Sequence, residues 1–173
     1  HNASLFVVAE TGFGTGLNFL ATADIWRRTK RRDARLHYIA VEGYPLSHSE
    51  LRDCAERWPE LRGAAQSLLR AYLHPQPGFQ RLFLDGGKIV LTLLFGEALD
   101  MLRALEAHVD AWFLDGFSPE KNPEMWSAEV LAEVARLSKP GARLATYTAA
   151  GDVRRGLMAA GFDVTKAPGF GHK

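Results

Sequence analysis

Short apolar runs alternate along the chain with stretches whose apolar residues return every three or four positions, the signature of strands exchanging with amphipathic helices. Leu5 to Ala9 is the first run; it ends in Glu10 and leads into three glycines on alternate positions, Gly12, Gly14 and Gly16. Helical spacing then resumes from Gly16 to about Arg28. Leu36 to Val41 predicts a second strand, closed by Glu42. Ser47 and Glu50 are spaced as a capping box, and Leu51, Cys54, Ala55 and Trp58 after them mark a core-facing helical stripe. Pro59 interrupts that helix or starts the next, whose buried face is Leu61, Ala65, Leu68, Leu69 and Tyr72.

Phe79 to Leu84 and Lys88 to Phe95 flank Asp85-Gly86-Gly87, a hairpin signal. Ala98, Leu102, Leu105 and Val109 give the next helix an inward face, and Val109 to Leu114 predicts a central parallel strand. Trp126, Val130, Val134 and Leu137 form another stripe, ended by Pro140-Gly141. A strand over Ala142 to Thr148, a helix over Asp152 to Ala160 and a last strand over Phe162 to Lys166 complete the reading. The alternation predicts an α/β, Rossmann-like fold: a mostly parallel sheet with helices on both faces and an inserted β-hairpin.

Composition bounds this picture without changing it. A chain of 173 residues, 47% hydrophobic, suits one domain, and the opening His1-Asn2 and short tail suggest truncation at both ends. Lys and Arg total 21 against 20 Asp and Glu, so no global charge pulls the protein toward nucleic acid or membrane. Any such contact needs a local patch. Arg27, Arg28, Lys30, Arg31, Arg32 and Arg35 form one, read either as a solvated, dipole-matched helix end or as a phosphate-contacting surface. The single cysteine, Cys54, excludes an internal disulfide and a cysteine-based zinc site and accords with a reducing, cytoplasmic setting. No metal is expected, and no apolar run approaches the ~20 residues of a membrane span.

The chemistry gathers at the predicted strand ends. Glycines between a strand and a helix let backbone approach a ligand closely. A dinucleotide fingerprint needs G-x-G-x-x-G, but Leu17 or Phe19 stands where its last glycine belongs. The string is instead E-x-G-x-G-x-G, which resembles the first motif of S-adenosylmethionine-dependent methyltransferases. There Glu10 supplies a carboxylate to the ammonium and sulfonium charges of the cofactor. Glu42 is placed to accept from two ribose hydroxyls, and Glu97, next to Gly96, from an adenine amino group. Asp115 ends the central strand and points into the same crevice. It can hold an acceptor amine and take its proton or pass it to water. Phe117 can lie against a cationic or heterocyclic group, and Pro119 and Pro123 stiffen the loop that frames the pocket.

Asp115-Gly116-Phe117-Ser118-Pro119, followed by Lys121-Asn122-Pro123-Glu124-Met125-Trp126, together with Val153-Arg154-Arg155-Gly156-Leu157 and the glycine loop, resembles the MnmC methyltransferase-domain family over nearly the whole chain. The resemblance implies a Rossmann-like S-adenosylmethionine-dependent fold, and methylation of the aminomethyl group of 5-aminomethyl(-2-thio)uridine at the tRNA wobble position. It implies S-adenosylmethionine contacts at Glu10, Gly12, Gly14, Gly16, Glu42, Glu97 and Asp115, catalysis by Asp115, and substrate contacts at Phe117, Pro119 and Lys121. It further implies tRNA as partner and a flavin-dependent oxidase domain or protein that supplies the amine. A non-catalytic S-adenosylmethionine- or RNA-binding module and a NAD-dependent oxidoreductase are the rival readings.

Overall fold

A computed structural model of the chain describes residues 4–29 and 34–167. Strand β1 (Ser4–Thr11) feeds helix α1 (Leu17–Arg28), and β2 (Ala34–Glu42) is followed by α2 (His48–Ala55) and α3 (Arg62–Ala71). The hairpin β3 (Gly78–Leu84) and β4 (Ile89–Phe95) leads to α4 (Ala98–Arg103) and β5 (Val109–Leu114). Helix α5 (Ala128–Leu137), β6 (Ser138–Thr146) and α6 (Gly151–Ala159) finish the order.

The strands form one sheet in the order β3-β4-β2-β1-β5-β6, parallel except for the β3–β4 pair. After β1 the chain winds outward through β2 to the hairpin, then crosses back to β5 on the other side of β1. That reversal opens a crevice beyond the carboxyl ends of β1 and β5, where open α/β sheets bind ligands. Two apolar layers hold the sheet. Val8, Leu36, Tyr38, Leu91 and Leu93 pack with Phe19 and Leu20 of α1 and Ala65 and Leu68 of α3. On the opposite face Val7, Ile39, Leu94 and Trp112 pack with Leu102, Val130, Val134 and Leu157.

The predicted hairpin and capping box are both present. Ser47 accepts from the backbone of Glu50, whose carboxylate accepts from the Ser47 N–H. Asp110, a polar residue within β5, accepts from the Val7 N–H at 2.8 Å and from Lys139 Nζ at 2.7 Å.

Three expectations are corrected. Pro140-Gly141 does not end α5, and the strand does not begin at Ala142: α5 stops at Leu137, and β6 starts at Ser138. Val109 faces Ser138 while Ala111 faces Arg143, so Pro140 and Gly141 lie in a bulge. A proline without an N–H is tolerated there because β6 is an edge strand. Phe162 to Lys166 is not a strand. The Phe162 N–H bonds to Leu157 O at 3.0 Å and the Gly161 N–H to Met158 O at 3.1 Å, the paired bonds of a Schellman cap on α6. Phe162 packs on the second apolar layer in that role. Cys54 and Trp58 are only half-buried, because α2 ends at Ala55 and leaves Trp58 beyond the helical face.

In the basic cluster, Arg27 makes a forked pair with Asp85 at 2.6 and 2.8 Å and donates to Ser67. It thus ties α1 to the hairpin turn. Arg28 pairs with Asp24 at 2.6 Å, while Lys30, Arg31 and Arg32 lie outside the described residues.

Candidate functional site

The crevice is a cleft of about 1100 Å³ lined by the ends of β1, β2, β4 and β5. Glu10, Gly12, Gly14, Glu42, Glu97, Asp115, Phe117 and Lys121 all border it. Two expected residues do not. Gly16 stands at the start of α1 with its backbone against the Phe13 ring. Pro119 sits in the turn where Ser118 O accepts from the Lys121 and Asn122 N–H groups.

The glycine loop is pinned to β2, since the Gly12 and Phe13 N–H groups both bond to Val41 O, at 2.9 and 3.2 Å. Gly12, at φ +86°, passes so close to the β5 loop that an added Cβ would stand 2.8 Å from Gly116 Cα and 2.9 Å from Asp115 O. At Gly14 nothing stands within 4 Å of that position. One glycine admits the neighbouring loop, and the other leaves room for a ligand.

Glu42 is fixed through backbone: Oε2 accepts from the Gly14 N–H and Oε1 from the Tyr44 N–H, each at 2.7 Å. Each oxygen keeps a second lone pair, the requirement for taking two vicinal hydroxyls. Glu97 precedes α4 without capping it through its side chain. Asp115 Oδ1 accepts from the Gly116 N–H at 2.8 Å, and Thr11 Oγ1 donates to Asp115 O at 3.1 Å. Phe117 is 58% exposed, and its carbonyl is held at 3.0 Å by Trp126 Nε1.

Glu10 is only 2% exposed. It accepts from Asn18 Nδ2 at 2.6 Å and from Tyr38 Oη at 2.9 Å. Burial pushes its carboxyl up to about 8; the bonds from Asn18 and Tyr38 pull the other way, and the charges of Asp115 and Glu42 add to the rise. The unfolded chain ionises this group near 4.5 and the fold near 8. The cofactor-free fold therefore loses stability as pH climbs through that interval, by a few kcal/mol at ~1.4 kcal/mol per unit. Glu10→Gln should flatten this slope, giving a higher melting temperature than wild type near pH 8.5 and no gain near pH 4.5. Equal slopes in melts across that range would mean that Glu10 is already ionised.

Residue-by-residue reading missed Asn18, Tyr38 and Tyr147. Tyr38 carried a signal: a hydroxyl in an apolar run, two positions before the β2 residue paired with Glu10. Tyr147, 55% exposed, donates to Gly116 O at 3.0 Å and packs edge-on to Trp126. Nothing local marked it.

A switch-point cleft with a glycine loop, an acid held by backbone N–H groups at the end of β2 and no partner cation for Glu10, Glu42 or Asp115 among the described residues is that of a Rossmann-like methyltransferase. These residues fit a cationic cofactor better than a pyrophosphate. The chain belongs to the S-adenosyl-L-methionine-dependent methyltransferase family, whose sequence profile matches residues 59–173. S-adenosylmethionine is accordingly its methyl donor. The chain is 56% identical over 167 residues to the tRNA 5-methylaminomethyl-2-thiouridine biosynthesis bifunctional protein MnmC of Ectopseudomonas mendocina (strain ymp), covering 96% of this chain and 25% of that protein. It is 51% identical over 172 residues to the protein of the same name from Pseudomonas aeruginosa (strain PAO1), covering 99% and 26%. Among solved structures it is similar to MnmC2 from Aquifex aeolicus, with a TM-score of 0.77 at 25% identity, covering 98% of this chain and 51% of that one. The chain thus spans about a quarter of the length of the curated relatives it matches.

Among the described residues no helix is long and apolar enough to cross a membrane, and no group of three or more His, Cys, Asp or Glu is arranged to hold a metal ion.

Proposed function

We propose that this domain methylates the exocyclic amine of 5-aminomethyl(-2-thio)uridine at the wobble position of tRNA, in the cytoplasm. The observation that carries the reading is the charge of the cleft. Glu10, Glu42, Glu97, Asp100, Asp115 and Glu124 line it against one cation, Lys121. Such a lining favours a cationic cofactor and an acceptor that arrives as an ammonium, and it opposes the pyrophosphate of a dinucleotide. The names of the relatives supply the acceptor class.

Glu10 and the glycine loop hold the methionine end of the cofactor, Glu42 the ribose hydroxyls, and Glu97 the adenine amino group. Bound S-adenosylmethionine supplies an electrophilic methyl group. Asp115 orients the amine and takes its proton directly or through water, leaving the nitrogen lone pair free to form the new N–C bond as the methyl's bond to sulfur breaks and sulfur keeps the electron pair. Phe117 and Lys121, exposed at the rim, contact the uridine and its phosphate backbone, with Pro119 stiffening the turn between them. Positioning of the two reactants supplies most of the rate. A flavin-dependent oxidase, fused or separate, furnishes the aminomethyl group.

Calorimetry with S-adenosylmethionine, with NADH as control, followed by methyl transfer to tRNA bearing the aminomethyl uridine, tests this. Binding of S-adenosylmethionine alone, with methyl appearing on the amine, is expected. Binding without transfer to that tRNA overturns the substrate, and NADH binding overturns the class.

A further inference from the structure

We propose that Asn18 is a positioning residue of the methyl-transfer site, one side-chain amide that holds Asp115 in register with the acidic floor of the cofactor cleft. The inference rests on the reading that Asp115 serves the acceptor amine. Asn18 stands in the first turn of α1, directly after the glycine loop, so the backbone that forms the cofactor site also sets its place. Its Nδ2 lies 2.6 Å from Glu10 Oε1 and 2.8 Å from Asp115 Oδ2.

An amide nitrogen carries two hydrogens, and both are used here, one for each carboxyl. The nitrogen rather than the oxygen must face this pair, because an amide carbonyl between two acids would meet acceptors on both sides. Among the described residues Asp115 Oδ1 is bonded only within its own loop, to the Gly116 N–H. Among the described residues the Asn18 bond alone ties this carboxyl to another element, so it sets how the acid is presented to the cleft. Glu10 cannot substitute, since its Oε1 faces Asn18 and its other oxygen is turned to Tyr38, away from Asp115.

The arrangement also joins Asp115 to the charge state of the floor. Tyr38 from β2, Asn18 from α1, Glu42 at the end of β2 and Asp115 at the end of β5 are the polar and titratable groups that face Glu10. A proton on Glu10 belongs on the Oε2 side against Tyr38, because Asn18 Nδ2 offers no lone pair to the other oxygen. A cation in the cleft favours ionised Glu10, and Asn18 and Tyr38 are the donors that stabilise it. Cofactor binding should therefore expel a proton.

The test compares Asn18→Ala with Tyr38→Phe, which also removes a donor from Glu10 but leaves the bond to Asp115 in place. Asn18→Ala should lower kcat at saturating S-adenosylmethionine by ~10- to 100-fold, the penalty of a misplaced group, with a much smaller change in Kd. Tyr38→Phe should lower kcat far less. Calorimetry in buffers of differing ionisation enthalpy should show proton release on binding, its midpoint moved to higher pH in both variants. Asn18→Asp, of the same size, guards against a packing failure and should lower kcat at least as far as alanine does. Equal loss of kcat in Asn18→Ala and Tyr38→Phe, or wild-type kcat in both Asn18 variants, would overturn the proposal. Wild-type turnover in Asp115→Ala would instead remove the reading on which it rests.

Discussion

Asp115→Ala is expected to lower methyl transfer by ~10²-fold or more, the usual contribution of a positioned acid or base, with little loss of S-adenosylmethionine affinity. The separation follows from how the residue is held. Its backbone is anchored independently of its carboxyl, through β5 paired with β1 up to Leu114 and Thr11 and through Thr11 Oγ1 on Asp115 O. Alanine therefore keeps the loop and deletes the group that meets the amine. Asp115→Asn separates the two roles of the carboxylate. It retains an acceptor oxygen for orienting the ammonium but cannot take the proton, so turnover close to that of alanine would assign the larger share to proton transfer. Single-turnover methylation with calorimetric Kd on the same preparations measures both quantities. Unchanged turnover in the alanine variant would exclude Asp115 from the reaction.

Gly12→Ala is expected to damage fold and cofactor binding together. The methyl group would press into the backbone of the Asp115–Gly116 loop at 2.8 and 2.9 Å, at a φ of +86° that side chains avoid. Neither loop can yield cheaply, since one is bonded to β2 and the other carries Asp115. A loss of about 2–4 kcal/mol in stability, from strain and overpacking, is expected, along with loss of measurable S-adenosylmethionine binding. Gly14→Ala is the comparison. Its φ of +50° costs roughly 1–2 kcal/mol in a residue with a side chain, but its methyl meets no protein atom within 4 Å. That variant should fold and bind more weakly, because the methyl occupies cleft volume. Denaturant melts with binding isotherms on both variants check this, and equal stability of the two would mean that the loops are not in contact.

Much of the frame was legible along the chain, for a local reason. A strand, a capping box, a Asp-Gly-Gly turn and a glycine loop are each specified by residues within a few positions of one another. An acid that ends a parallel strand is delivered to the ligand side of the sheet by chain direction alone. Glu10, Glu42 and Asp115 could thus be assigned to one crevice without knowing the strand order. The same locality explains the errors. Pro140-Gly141 and Phe162 carry the local marks of a helix stop and a strand, yet pairing with β5 makes the first a bulge and packing on α6 makes the second a cap.

By itself, then, the sequence determined the α/β class, the glycine loop and the acids at the strand ends, because short-range sterics and side-chain period suffice for those. Only the tertiary structure decided what the acids do to one another. Asn18 and Asp115 are 97 residues apart, and they meet because β5 returns to pair with β1 rather than extending the β4 side of the sheet. The same closure helps bury Glu10 beneath Asn18 and Tyr38 and raises its proton affinity, while the pairing of β4 with β2 on the other side brings Asp85 to Arg27 of the basic cluster. Desolvation and hydrogen-bond partnership belong to the packed arrangement of distant segments, which no window of neighbouring residues contains.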